Sequence, residues 1–268
     1  GKTSTTGLTT HLFRSSGMDV TGFVGGISRN YESNLIVGNS DIVIVEADEF
    51  DRSFLTLEPE VAIVTSMDAD HLDIYGEADR LTESFQEFAG KIKPGGTLIL
   101  QDRLSEKMGK VNARLETYGV GSGTASAQNL VVDGLKSTFD YAGPKGEMKG
   151  LVLNLPGKYN VENATAAITA ALEMGCSPEG IREGLATFKG IRRRFEVRYD
   201  GGTVVHIDDY AHHPEEIRAL MGAVRSMLPN HKVIAAFQPH LFSRTRDFAE
   251  GFAETLSLAD VVVLLEIY

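Results

Sequence analysis

The stretch DIVIVEA at residues 41–47 indicates a β-strand. Its apolar residues are continuous and mostly β-branched, and the stretch VAIVTS at residues 61–66 repeats this pattern. Short runs of this kind are typical of parallel strands that are buried on both faces. We therefore expect both stretches to be interior strands of a parallel sheet.

Helical and strand patterns alternate after these two runs. Residues 77–92 predict a helix, and residues 95–102 (GGTLILQD) predict a further strand. The apolar side chains that share one face of the helix are Leu81, Phe85, Phe88 and Ile92. The alternation predicts an α/β fold with a doubly wound, mostly parallel sheet, and the ligands of such sheets lie beyond the carboxyl ends of the strands.

The sequence pattern changes near residue 130. Turn signals and alternating polarity over residues 130–156 predict a small antiparallel hairpin or meander. Two helices are expected next, at residues 160–175 and 178–188, the second with Ser177 as its N-cap. Strand and helix signals over residues 203–268 then predict an incomplete, Rossmann-like α/β unit.

The composition limits the classes of function. The 268 residues carry 26 Lys+Arg against 37 Asp+Glu, and the formal charge of -11 argues against a nucleic-acid surface and against attraction to anionic lipid. A single cysteine, Cys176, excludes an internal disulfide framework and suits a reducing, cytoplasmic compartment. No apolar run approaches the ~18 residues of a membrane span, and no signal peptide is evident. The sequence does not indicate an oligomeric state.

The first residues, GKTSTTG, have the composition of the second half of a phosphate-binding loop. In such a loop the lysine contacts the β and γ oxygens of a nucleotide, and the Ser/Thr hydroxyl binds Mg²⁺. Lys2 and Thr3 fit these roles, beside Gly1 and Ser4, and the helix that follows would favour anions at its N-terminus. The tripeptide alone is also a common chance match, and an ordinary helix start is the competing interpretation.

Carboxylates and a histidine follow the two predicted strands. Glu46 ends the first strand, where a carboxylate can hold a hard cation. His71 lies among aspartates in the segment MDADHLD after the second strand. Solvated acidic loops are the commoner explanation for such runs, but the two strand ends predict that Glu46 and His71 face the same crevice as Lys2 and Thr3.

Further polar residues cluster in the second half of the chain. Asn163 could contact a base, although asparagine near a helix start is more often a cap. Arg194 lies in a run of three arginines, and arginine is the preferred bidentate partner of phosphate. The remaining candidates follow strands of the second unit and suit a carboxylate substrate or a nucleotide better than structural zinc: Asp209, Tyr210, His212, His240 and Arg244.

Seven motifs, in this order and spacing, resemble those of the Mur ligases. They are GKTSTT, EADEFDRSFL, DADHLDIY, GKYNVENA, RRRFE, DDYAHHPEEI and FQPHLFSRTRDF. The resemblance covers nearly the whole chain and is strongest in DDYAHHP and FQPH. It implies an ATP-dependent ligase that joins a carboxylate to an amine, and within the family it favours the branch that adds L-alanine to UDP-N-acetylmuramate in peptidoglycan precursor synthesis.

The resemblance also implies a domain map. Residues 1–196 would form the central ATPase domain, starting inside its phosphate loop, and residues 197–268 the first part of the C-terminal Rossmann-like domain. The N-terminal UDP-binding domain of the family would be missing. We therefore expect negligible ligase turnover and weak ATP binding from these 268 residues alone.

Roles for individual residues come from the same resemblance. Lys2 would stabilise charge on the transferred phosphoryl group, with Thr3 and Glu46 on a first Mg²⁺ and His71 on a second; Mn²⁺ is an alternative metal. Asn163 would contact adenine, Arg194 the phosphates and Asp209 the nucleotide. Tyr210, His212, His240 and Arg244 would lie near the substrates, the last two beside L-alanine.

Two departures from the family pattern bear on the choice of branch. Several sister ligases carry a carbamylated lysine where this chain has Phe85 and Gln86, and the alanine-adding branch is similar to this chain in lacking it. Leu241 replaces an arginine often found after QPH, which would shift an anion contact to Arg244 or Arg246. A murein tripeptide-recycling ligase, a folylpolyglutamate synthase and a nucleotide-binding switch module remain the alternatives.

Overall fold

The strand within residues 41–47 lies at the edge of a small sheet. The computed structural model describes residues 1–67 and 78–268. Strand β1 (Thr21–Ser28) lies at the centre of a three-stranded sheet, antiparallel to β2 (Ser33–Ile36) and parallel to β3 (Val43–Val45). The expectation that residues 41–47 would be buried on both faces is wrong, because Val43 is 57% exposed and Val45 41%. Within the part of the chain that the structure describes, β3 pairs with β1 alone and is an edge strand of this sheet.

A second sheet of six strands contains both the predicted parallel strands and the predicted antiparallel meander. Its strands lie in sequence order, and the first four run parallel. The last three form the antiparallel meander predicted near residues 130–156, joined edge to edge to the parallel part. The strands are β4 (Val61–Val64), β5 (Thr97–Gln101), β6 (Arg114–Val120), β7 (Ala125–Asp133), β8 (Lys136–Gly143) and β9 (Gly146–Leu153). The mixed, parallel-dominated α/β class predicted from sequence is confirmed.

Helices pack on these two sheets. They are α1 (Lys2–Ser15), α2 (Ala78–Gly90), the short α3 (Ser105–Met108), α4 (Lys158–Glu173) and α5 (Pro178–Thr187), with 3₁₀ turns at Phe50–Thr56 and Asp102–Leu104. The predicted apolar face of residues 77–92 is confirmed, since Leu81, Phe85, Phe88 and Ile92 are all buried. The predicted cap is also confirmed, because the Ser177 hydroxyl accepts a hydrogen bond from the Gly180 N–H.

The C-terminal part contains two small strand pairs and three helices. Strands β10 (Glu196–Asp200) and β11 (Val205–Asp208) form an antiparallel hairpin, and β12 (Ile234–Phe237) pairs in parallel with β13 (Val261–Leu264). The helices are α6 (Pro214–Met227), α7 (Phe242–Asp247) and α8 (Ala249–Leu256). The strand predicted at residues 203–209 thus pairs within a hairpin and not with the parallel pair. The domain boundary between residues 196 and 197 stays a prediction.

Helix α1 lies at the centre of the larger core. Leu8 and Leu12 of α1 pack with Val161 and Ile168 of α4 and with Leu185 of α5, all nearly inaccessible to solvent. This packing fixes the N-terminal turn of α1 with respect to the sheets. Within residues 1–67 and 78–268, no helix has the length and apolarity that a membrane crossing requires.

One buried histidine makes the stability of this core depend on pH. His11 is 8% exposed, and its ring nitrogens lie 2.9 Å from the Tyr31 hydroxyl and 3.0 Å from the Thr187 hydroxyl. Burial lowers the pKa of His11 to about 4 from 6.5. The unfolded chain therefore binds the His11 proton more tightly than the folded chain does. As a result, the free energy of unfolding keeps its full value above pH 6.5 and falls as the pH drops toward 4.

We expect the free energy of unfolding to lose about 3 kcal/mol through His11 between pH 7 and pH 4. The His11→Gln variant, which can still bond Tyr31 or Thr187, should lack this component. Urea unfolding of both proteins at several pH values measures the difference. Parallel pH profiles for the two proteins would rule out this role for His11.

Candidate functional site

A cavity of 1120 Å³ lies at the carboxyl ends of β3 and β4, and the N-terminal turn of α1 and the C-terminal part both line it. It brings together most of the site residues predicted from sequence: Gly1, Lys2, Thr3, Ser4, Glu46, Arg194, Tyr210, His212, His240 and Arg244. The predicted site residue His71, with its neighbouring aspartates, lies outside the described residues. Asn163 and Asp209 are described but do not line the cavity.

Thr3 and Glu46 form the best-defined contact in the cavity. The Thr3 hydroxyl donates to Glu46 Oε1 at 2.8 Å, and the backbone N–H of Gly25 donates to Oε2 at 2.6 Å. A Cβ at residue 25 would lie only 2.7 Å from Glu46 Oε2, so the approach of strand β1 to this carboxylate requires glycine. Glu46 is therefore held in one orientation by α1 and β1.

Lys2 contacts the carboxylates of Asp48 and Glu49. From sequence, the run that contains them was interpreted as a solvated acidic loop. The Lys2 ammonium group lies 3.0 Å from Asp48 Oδ1 and also contacts Glu49. Burial acts to lower the pKa of Lys2, but Glu49 and Asp48 outweigh burial and raise it. The lysine is thus kept charged at the entrance of the cavity. Asp48 and Glu49 follow Glu46 with only Ala47 between, and this short spacing could have indicated that they belong to the same site.

The donor set at Thr3 and Glu46 fits a hard cation. A hydroxyl and a carboxylate oxygen 2.8 Å apart are both ligand types that Mg²⁺ accepts, and such sites usually keep several waters. Among residues 1–67 and 78–268, no group of three His, Cys, Asp or Glu side chains is arranged to hold a metal ion. From the described residues, a site here would use Thr3, Glu46, water and oxygens of a bound ligand.

Arg193 and Arg194 bring positive charge beside Tyr210, and Arg194 and Tyr210 both line the cavity. The guanidinium groups of Arg193 and Arg194 lie 5.0 and 5.3 Å from the centre of the Tyr210 ring. Arg194 also lies 3.8 Å from a carboxylate oxygen of Glu216, and the Glu216 carboxylate accepts the backbone N–H of His212 at 3.0 Å. Glu216 was not predicted as a site residue from sequence, although its position in the first turn of α6, next to the predicted residues Tyr210 and His212, could have indicated it.

Asp209 and Asn163, both predicted to contact the nucleotide, contact other groups of the protein in this structure. Asp209 accepts the backbone N–H groups of Phe195 at 2.6 Å and Ala211 at 2.7 Å, so it fixes the turn that carries Arg194. Burial raises the pKa of Asp209 against the opposing effect of these hydrogen bonds. Asn163 is 6% exposed, lies against the Thr5 hydroxyl, and its Nδ2 has no hydrogen-bond partner among the described residues.

The segment after β12 completes the rim of the cavity. His240 stacks on Tyr268 with ring centres 5.6 Å apart, and Leu241 adopts a left-handed backbone with φ 69°. Arg244 lines the cavity, whereas Arg246 is paired with Asp247 at 2.7 Å and does not. Of the two arginines expected to replace the anion contact at position 241, only Arg244 is therefore placed at the cavity.

The position of the sister ligases' carbamylated lysine holds no bridging group. Phe85 is buried in the second core cluster with Phe54 and Phe88. The Gln86 side-chain amide donates to the carbonyl oxygen of Lys107 at 3.0 Å, and Gln86 does not line the cavity. Neither side chain is placed to bridge metal ions.

Two family models match the chain. The model described as the Mur ligase middle domain covers residues 1–171, and the model described as the Mur ligase, glutamate ligase domain covers residues 193–267. The curated UDP-N-acetylmuramate–L-alanine ligase of Christiangramia forsetii is 49% identical over 269 residues, which include 100% of this chain and 58% of the relative. The chain thus spans less than two thirds of the length of this relative.

Solved structures agree with this relationship. The UDP-N-acetylmuramate–alanine ligase of Thermotoga maritima matches with a TM-score of 0.83 and 31% identity, over 100% of this chain and 60% of that one. A murein peptide ligase of Psychrobacter arcticus matches with a TM-score of 0.66 and 22% identity, over 98% of this chain and 61% of that one. At that identity the second likeness shows the shared fold alone.

Proposed function

The chain belongs to the Mur ligase family, and from this we propose that it contributes the ATP-binding and amino-acid-binding machinery of a UDP-N-acetylmuramate:L-alanine ligase of the cytoplasm. The 49% identity to a relative of that name supports the choice of substrates. The observation that carries the proposal is that Lys2, Thr3, Glu46 and Arg194 all line one cavity.

The reaction requires activation of a carboxylate, because a carboxylate offers no leaving group to an amine. The lactyl carboxylate of UDP-N-acetylmuramate attacks the γ-phosphorus of ATP and displaces ADP, which gives an acyl phosphate. The amine of L-alanine then attacks the acyl carbon, and phosphate leaves with formation of the amide. Charge builds up on the transferred phosphoryl oxygens in the first step, so fixed positive charge there accelerates it.

The residues of the cavity suit these steps. Lys2 extends from the N-terminus of α1, where backbone N–H groups and the helix dipole already favour phosphate. Its release from Asp48 and Glu49 would let the ammonium group meet the β and γ oxygens. Thr3 and Glu46 would hold Mg²⁺, which when bound neutralises charge between the phosphates. Arg194, which also lines the cavity, would contact the phosphates.

The residues that would receive the amino acid lie on the C-terminal side of the cavity. Tyr210, His212, His240 and Arg244 all line it, and Arg244 offers a cation for the carboxylate of L-alanine. We further propose that Asp209 acts by holding the turn of Arg194. We also propose that Asn163 offers to the adenine its Nδ2, which has no partner in residues 1–67 and 78–268. The role of His71 on a second metal remains a prediction.

A chimera tests the proposed function. Residues 1–268 would replace the matched 269 residues of the Christiangramia forsetii ligase, so that all other parts come from the relative. With ATP, Mg²⁺ and UDP-N-acetylmuramate we expect an amide product with L-alanine and none with a murein tripeptide. Chromatography with mass detection identifies the product.

The other outcomes of this assay distinguish the alternatives. Product with the tripeptide alone would indicate the recycling ligase. Product only when a folate and glutamate are supplied would indicate folylpolyglutamate synthesis. Nucleotide binding without any amide, in a folded chimera, would indicate a switch module and overturn the proposal.

A further inference from the structure

Arg194 lies between two residues with an unusual backbone conformation. Arg193 has φ 58° and Phe195 has φ 48°, so both are in the left-handed region. Residues other than glycine, asparagine and aspartate are uncommon there, because the Cβ comes too close to the following carbonyl oxygen. Such a conformation persists only where the surrounding structure holds it.

Two carboxylates hold the backbone on either side of Arg194. Glu196 Oε2 accepts the backbone N–H of Arg193 at 2.9 Å, and Asp209 Oδ2 accepts that of Phe195 at 2.6 Å. The two carboxylates lie at the same end of the β10–β11 hairpin, because its register pairs the first residue of β10 with the last residue of β11. The N–H groups of both left-handed residues are thus bound by side chains.

Glu196 is buried and has positive charge around it. Its side chain is 7% exposed, and Oε1 lies 3.0 Å from a guanidinium nitrogen of Arg198 and 4.0 Å from Nε of Arg29. Burial acts to raise the pKa of Glu196, but the Arg193 N–H and the Arg198 guanidinium outweigh burial and lower it. The carboxylate is therefore ionised at neutral pH, and an ionised acceptor binds a backbone N–H more strongly than a neutral one.

The chain just before this turn is fixed to strand β1. The backbone N–H of Arg192 donates to Ile27 O at 2.9 Å, and the N–H of Arg29 donates to Gly190 O at 3.0 Å, so this part of the chain pairs with the end of β1. The β10–β11 hairpin fixes the chain on the other side. A change in the turn between these two segments would redirect the Arg194 side chain and leave both segments in place.

We propose that Glu196 is a positioning residue, which directs the Arg194 side chain into the cavity by holding Arg193 in the left-handed conformation. The proposal rests on the proposed function, in which Arg194 contacts the phosphates. Arg194 lines the cavity and Glu196 does not, so Glu196 acts through Arg194 and not on a substrate. Glu196 is the acidic residue of the RRRFE motif, and this role accounts for its burial beside the arginines.

A double-mutant cycle in the chimera tests whether Glu196 acts through Arg194. Arg194→Met should lower kcat/KM for ATP by about a hundredfold or more. Glu196→Met removes both carboxylate oxygens and should lower kcat/KM by about thirtyfold, since a misplaced group loses much of its effect. Added to Arg194→Met, it should cost less than about threefold more, because the group that it positions is already gone. Losses that multiply in the double variant would indicate a separate structural role and overturn the proposal.

Two further variants separate positioning from charge and from general damage. Glu196→Gln keeps an oxygen that can accept the Arg193 N–H but removes the charge beside Arg198, so it should recover most of the activity that Glu196→Met loses. Asp200 is the matched control at the other end of β10, where its carboxylate accepts the Gly202 N–H at 3.0 Å. Asp200→Leu should leave kcat/KM within about twofold. Equal losses for Glu196→Met and Glu196→Gln would overturn the proposal.

The direction of the Arg194 side chain is also measured without catalysis. Its guanidinium group lies 5.3 Å from the centre of the Tyr210 ring, so the ring current of Tyr210 shifts the Arg194 Nε–H signal in NMR spectra. The signal is assigned by its absence from Arg194→Met. In the 268-residue chain, Glu196→Met should move this signal and Asp200→Leu should not. An unmoved signal in folded Glu196→Met would overturn the proposal.

A second pair of variants keeps Glu196 and changes the turn itself. Arg193→Ile and Arg193→Asn lose the same charge, but a branched side chain disfavours the left-handed region and asparagine tolerates it. The Arg194 signal should therefore move with isoleucine and stay with asparagine, and equal positions in the two would contradict the proposal. If the signal moves as expected while Arg194→Met leaves kcat/KM unchanged, or the chimera forms no amide, Glu196 positions Arg194 and the proposed function is wrong.

Discussion

Replacing Lys2 with methionine in the chimera is expected to lower kcat by about a thousandfold, the loss typical of removing one preorganised charge-stabilising donor. Methionine keeps the length of the side chain but removes the ammonium group. Its contact to the phosphoryl oxygens strengthens as charge develops there, so the loss should appear mainly in kcat and less in the KM for ATP. Steady-state kinetics of ADP release measures both constants.

Lys93 provides a matched control for this variant. It lines the same cavity at its other end, where its ammonium group lies 3.2 Å from Glu60 Oε1, away from the N-terminus of α1. Lys93→Met should leave kcat within about twofold of the starting chimera, because exposed ion pairs contribute little. Equal losses for Lys2→Met and Lys93→Met would show that general charge in the cavity matters and that the position of Lys2 does not.

Replacing Glu46 with glutamine is expected to lower kcat/KM by about a hundredfold or more and to raise the Mg²⁺ concentration needed for half-maximal activity. The amide has almost the shape of the carboxylate, so Thr3 can still donate to its oxygen. The amide nitrogen, however, faces the N–H of Gly25 and carries no negative charge for a cation. Both the ligand charge and its orientation are therefore lost.

A magnesium titration separates this effect from simple loss of structure. Glu60→Gln is the control, since Glu60 also lines the cavity but is paired with Lys93. We expect the Glu46→Gln chimera to recover part of its activity at high Mg²⁺ and the Glu60→Gln chimera to need no extra metal. An unchanged Mg²⁺ requirement for Glu46→Gln would contradict the metal role of Glu46.

Local patterns allowed much of the fold to be predicted. The apolar spacing of Leu81, Phe85, Phe88 and Ile92 identified the buried face of α2, because helix periodicity is set by the backbone itself. The cap at Ser177 followed from the side-chain chemistry of the first helical turn. Glu46 was predicted as a site residue because it ends a strand of a parallel sheet, and the ligands of such sheets lie beyond the carboxyl ends of the strands.

Properties that depend on distant parts of the chain could not be predicted in the same way. The apolar run at Val43 and Val45 indicates a buried strand, but its exposure depends on which strand lies beside it. The carboxylate of Asp209 accepts the backbone N–H groups of Phe195 and Ala211, and its predicted nucleotide contact stays a prediction. The bond to Ala211 is a local turn that an aspartate favours, whereas the partner at Phe195 depends on how the β10–β11 hairpin forms.

Binding of nucleotide and metal at Thr3 and Glu46 is tested most directly by an NMR titration of the 268-residue chain with a nonhydrolysable ATP analogue and Mg²⁺, which detects even weak binding. We expect the amide signals of Lys2, Thr3, Gly25 and Glu46 to shift together, and we expect no such shifts without Mg²⁺ or in Glu46→Gln. Shifts confined to other parts of the protein, such as the β7–β9 meander, or shifts independent of Glu46, would contradict binding at this site.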